Sequence, residues 1–152
     1  FFFKQKTAYE IKECDWSSDV CSSDLKIMNT KIEVLHKDHR EWLNKIDFYY
    51  DDLKIFRHRL EEVVSHNTSH EVLSRTEHFQ NQFIIQKNEL DELRHLIHEA
   101  EGLIVDAVEK NSIAINRQAI PDDGTLRDRM SHFEKLFHDL RIELMSFLSR
   151  SL

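Results

Sequence analysis

Apolar and polar residues follow one another along this chain with the beat of helices that keep one face covered. From Thr68 to Asn111, a stretch with no proline and a single glycine, the seam positions fall at alternating steps of four and three: Val72, Thr76, Phe79, Phe83, Gln86, Leu90, Leu93, Ile97, Ala100, Ile104 and Ala107. That spacing sets one stripe of a helix against a partner. At a rise of about 1.5 Å per residue the helix is roughly 60 Å long, so whatever precedes and follows it must lie alongside. Upstream, Ile32, Leu35, His39, Trp42, Ile46, Tyr49, Leu53, Phe56, Leu60 and Val63 keep the same rhythm and predict a helix over about 30–65. Downstream, Leu126, Met130, Phe133, Phe137, Leu140, Leu144 and Phe147 predict a third over 125–150.

Each predicted helix opens on a threonine followed three residues later by an acid: Thr30 and Glu33, Thr68 and Glu71, Thr125 and Asp128. In such a capping box the hydroxyl accepts from a free N–H of the first turn, and the acid reaches back. The short connection at His66 and Asn67 makes the first two helices antiparallel neighbours. The second connection, Ser112 to Gly124, is longer, and its Ile113, Ile115 and Ile120 are expected to tuck against the bundle end. Placing each reversal at the middle of its connection sets Tyr49 beside Gln86 as a hydroxyl–amide pair. It also ends the third helix level with Gln86. The predicted fold is therefore an all-α, three-helix antiparallel coiled-coil-like bundle whose helix 1–helix 2 hairpin, roughly Leu53 to Gln82, extends beyond helix 3.

In such a hairpin Phe56, Leu60, Val63, Val72, Phe79 and Phe83 would have one partner helix each. Beside them lie Phe48, Tyr50, Ile55, Ile84 and Ile85, apolar or aromatic yet off the seam. Wet aromatic area usually marks an interface. These residues are predicted to form an association surface for a partner helix or for a second copy, most simply through a twofold that completes four helices.

Composition narrows the function. A length of 152 residues suits one domain. A net charge of −7 and a pI of about 5.8 argue against a nucleic-acid binder, whose affinity rests on Lys and Arg meeting phosphates. No apolar run is long enough to span a membrane, and the polar faces are mixed or acidic, unlike those of a membrane-surface helix. Glu33, Lys37, Glu41 and Lys45 read as a solvated face of alternating charge. No Gly-rich phosphate loop and no readable catalytic spacing of Ser or carboxylates is present, so no enzyme is predicted.

The first 25 residues break the pattern. FFFKQKTAYEIKECDWSSDVCSSDL has no heptad and holds both cysteines, Cys14 and Cys21. Lys4 to Ile11 resembles the translation of one primer end of a sequencing-library adapter. Asp15 to Leu25 resembles the adjoining read-primer site, with Lys12, Glu13 and Cys14 as the variable index between them. The resemblance implies that 1–25 is a non-native segment, disordered or irregular and foreign to the fold. It also implies a single helical domain over 26–152, with the biological start near Met28 or lost upstream.

Ten histidines raise the question of metal. Glu33 with His36, and Glu92 with His95, have the carboxylate–imidazole spacing of di-iron bundles. The stretch LHKDHREWL at Leu35 to Leu43, with His58 and Glu62 downstream, resembles the opening of hemerythrin-like proteins. That resemblance implies a non-haem di-iron oxygen carrier or sensor, with His39, His58 and Glu62 as candidate ligands and His36 beside them. The family's closing His-x-x-x-x-Asp is absent, since Phe137 follows His132 and Glu143 follows His138 at that distance. Heptad phase points His58, His95, His98, His138 and Glu92 to water and only His39 inward, against Trp42. The residues themselves thus favour a cytoplasmic, non-catalytic structural or protein–protein interaction module with no cofactor.

Overall fold

The computed structural model describes residues 12–110 and 123–152, with side chains over 30–109 and 124–152. Three long helices pack side by side: α1 (Lys12–His66), α2 (His70–Lys110) and α3 (Asp123–Ser151). The four-three seams are the core. On α1, Leu35, His39, Trp42, Ile46, Leu53, Phe56, Leu60 and Val63 are buried, with Ile32 and Tyr49 half-buried. On α2 every seam residue from Thr76 to Ala107 is buried, and on α3 every one from Leu126 to Phe147. Thr76 is tolerated inside because its Oγ1 donates to the Val72 carbonyl at 2.9 Å.

Helix limits differ from expectation for local reasons. Residues 12–25, expected to be irregular, continue α1. They contain neither Gly nor Pro, and extending an existing helix needs no new nucleus. Thr30 therefore lies inside α1 and not at its start. Ser69, next to the expected cap Thr68, accepts from the Leu73 N–H at 3.0 Å and leads into α2. Thr125 falls in the first turn of α3. Ile113, Ile115 and Ile120 lie outside the described residues.

The register of α3 overturns the projecting hairpin. The Asn67 amide donates to the Val63 carbonyl and to the Ser151 carbonyl, both at 3.1 Å, which fastens the end of α3 to the α1–α2 turn. Phe79 meets Phe147 at 5.3 Å, and Phe56 stacks on Phe137 at 5.8 Å. The third helix therefore covers the first two as far as their turn. Its start lies beside Leu96, Ala100 and Leu103, so α2 continues past it towards Lys110. The expectation failed because it put the second reversal at the middle of its connection, whereas α3 docks about three to four turns nearer the α1–α2 turn. Tyr49 likewise does not reach Gln86. Its ring packs on Phe133 and Phe137, at 5.2 and 4.7 Å.

Candidate functional site

A three-helix bundle has three grooves, and two of them here are laced by polar side chains. Across α1 and α3, Asp38 pairs with Arg127 at 2.7 Å, Lys45 with Glu134 at 3.0 Å, and Asp52 with Arg141. The Glu134 carboxylate, bonded to Lys45, raises the pKa of that ammonium. Arg127 and Arg141 also lie over the Trp42 and Phe56 rings, at 5.4 and 5.5 Å.

Across α1 and α2, Arg94 bonds Asp47, and the Tyr50 hydroxyl donates to Asp91, which also accepts from Lys87 at 2.8 Å. Burial first, then the bond to Asp91, pushes the Tyr50 phenol up to about 12. Lys87 first, then Tyr50, holds Asp91 below its ordinary value. Further along, one carboxylate serves two imidazoles: Glu101 accepts from Nδ1 of His36 at 2.7 Å and from Nδ1 of His39 at 2.6 Å. An ionised carboxylate only accepts, so both Nδ1 atoms carry hydrogen. His39 is 1 % exposed and lies 5.6 Å from the Trp42 ring, as its seam position implied.

The α2–α3 groove is different. Among the described residues its ion pairs are those of Arg129, with Glu89 at 2.5 Å and Glu92 at 3.3 Å. Those hydrogen bonds raise the pKa of the guanidinium, Glu89 contributing most. Elsewhere apolar flanking positions stand among Glu99, Asp128 and His132. Ile85, Leu103 and Leu136 are 54 %, 43 % and 44 % exposed. Two hollows of about 420 and 370 Å³ meet at Arg129. The first has Phe133 and Gln86 among its walls, the second Leu96 and Leu126. Gln86 is 7 % exposed, and its Oε1 accepts no hydrogen bond from the described protein. Towards the turn Arg75 lies over Phe79 and Phe147, 5.9 Å from each, beside a further hollow of about 320 Å³ whose walls include Val72 and Arg150.

The predicted interface does not come together. Phe56, Leu60, Val63 and Phe79 are at most 3 % exposed and belong to the shared core, and Val72 is half-buried against it. Tyr50 is half-buried and bonded to Asp91. Phe48, Ile55 and Ile84 are exposed, but only Ile85 of the predicted set lines the α2–α3 groove. Leu96, Leu103 and Leu136 were missed because they sit off the four-three seam. Their signal was an apolar residue at a flanking position where the other grooves carry charge.

The candidate metal ligands are also apart. His36 and His39 face Glu101, whereas His58 lies 3.6 Å from Glu62 on an exposed part of α1. Nineteen residues of helix separate His39 from His58, roughly 29 Å. Among the described residues no three His, Cys, Asp or Glu side chains are placed to hold one ion. No described helix is long and apolar enough to cross a membrane. The chain matches no protein-family model, no curated protein and no solved structure.

Proposed function

We propose that this protein is a non-catalytic interaction module that takes a further helix into the groove between α2 and α3. The observation that carries the reading is the contrast among the grooves. Cross-helix pairs recur along the α1–α3 groove and along the α1–α2 groove away from its turn, where a hollow lies between Val64 and Leu73, while the third groove is bridged at Arg129 and exposes the longer apolar run of Ile85, Leu103 and Leu136. Apolar flanks of this kind are what a fourth helix of a bundle covers. From Ile85 to Leu103 the groove runs roughly 27 Å at the helical rise, the length of two to three heptads. Phe48 and Ile55 lie a heptad apart on α1 with Asp51 and Asp52 between them, which is ordinary scattered exposure. The cytoplasm is the compartment that suits this reading, since residues 26–152 hold no cysteine for an oxidising environment to pair.

The test is a methyl-labelled protein titrated with a synthetic helix of about three heptads carrying Leu on its seam and Gln on its flanks. Shifts should concentrate on Ile85, Leu103 and Leu136, and Leu136→Glu should abolish them while leaving the melting temperature in place. Shifts elsewhere, or none up to millimolar peptide, would remove the groove as the docking face.

A further inference from the structure

Charge distinguishes the occupants that such a groove could accept. Around its middle stand four carboxylates, Glu89, Glu92, Glu99 and Asp128, against one guanidinium, Arg129, and the imidazole of His132. Arg129 is already engaged by Glu89 and Glu92, so it offers little to an incoming acid. The bridged grooves set acid against base from opposite walls: Asp38 faces Arg127, Lys45 faces Glu134 and Arg94 faces Asp47. In the third groove both walls contribute acids, Glu99 from α2, with His95 of its own helix at 3.5 Å, and Asp128 from α3, and among the described residues neither is paired across the groove. A second copy of a chain carrying −7 would bring further carboxylates to that rim. At the floor, Gln86 supplies an amide whose oxygen has no donor from the described protein. A buried acceptor left in that state is unfavourable, and a cationic or amide side chain reaching into the groove would relieve it.

We infer that the occupant is an amphipathic helix of another protein, with an aliphatic seam flanked by lysine or arginine. The inference rests on the groove being the docking face and adds the sign of the partner's charge. The apolar seam would cover Ile85, Leu96, Leu103 and Leu136, and the basic flanks would meet Glu99 and Asp128. Binding would then weaken with added salt, as rim electrostatics do.

Two further synthetic helices, identical in their Leu seam but with Lys or Glu at every flanking position, separate the possibilities. The Lys-flanked helix should bind about tenfold more tightly at low salt, the sum of a few exposed ion pairs. That gap should close as salt is raised. The double variant Glu99→Lys, Asp128→Lys changes two exposed side chains and should reverse the preference while keeping the melting temperature. Equal affinities, or a preference for the Glu-flanked helix, would overturn the charge inference while groove shifts with the Gln-flanked helix kept the docking reading alive. No groove shifts with any of the three helices would overturn both. A dimer in sedimentation that the helices displace would assign the groove to a second copy and overturn the basic partner.

Discussion

Asp91 shows how much one exposed residue can organise on this surface. It accepts from the Tyr50 hydroxyl across the α1–α2 groove and from Lys87 one turn away on its own helix. Its carboxyl consequently titrates below the ordinary 3.8. A carboxyl held low in the fold contributes stability at pH values above its unfolded value, and that contribution disappears as pH falls through the lower folded value. Asp91→Asn should therefore lower the melting temperature near neutral pH. The difference should vanish in acid titration below 3.8, as calorimetry across that range would show. The effect is modest, at most about 1 kcal/mol, because Asp91 is half exposed and screened by solvent. Tyr50 gives the opposite limb. Its neutral hydroxyl is the bonded form, so its share is complete below 10 and is lost as pH rises through about 12.

Among the helices, the α1–α3 contact is a ladder with one rung per heptad: Asp38–Arg127, Lys45–Glu134 and Asp52–Arg141. The constant offset between partners fixes how the two parallel helices slide past each other. Glu134→Lys sets a second ammonium against Lys45 and should cost about 1 kcal/mol in a urea melt. Adding Lys45→Glu should recover most of that loss, because the rung is re-formed with its charges exchanged. A double variant whose loss equals the sum of the two single losses would mean that the rung contributes nothing to register.

Burial phase was readable from residue order and lateral register was not, and the same helices show why. Leu90, Leu93 and Ile97 announce a covered face through neighbours three and four apart, which is local information. His39 could be placed inward by the same logic, though its partner Glu101 could not. The position of α3 along α2 depends instead on distant pairs such as Phe79–Phe147 and Arg129–Glu89. A shift of about three to four turns leaves every seam intact, so the heptads cannot report it. That shift moved the exposed apolar area from the α1–α2 hairpin to the α2–α3 groove.

At the scale of the whole molecule, α1 is much longer than its partners. Glu101 meets His39 and Asp91 meets Tyr50, so the end of α2 at Lys110 comes level with about residue 30 of α1. The first turns of α1 run beyond the reach of α2, and α3 begins further along still. Chain beginning at residue 26 should therefore melt within about 0.5 kcal/mol of the full sequence, the range for changes outside a packed core. A large drop in the urea midpoint would show that the leading residues support the bundle and are not foreign to it.

The unequal lacing of the three grooves also bears on how many companions the proposed docking would allow. If the α2–α3 groove is the berth, each copy takes one guest, and the complex should stop at one guest per host in sedimentation instead of growing with concentration.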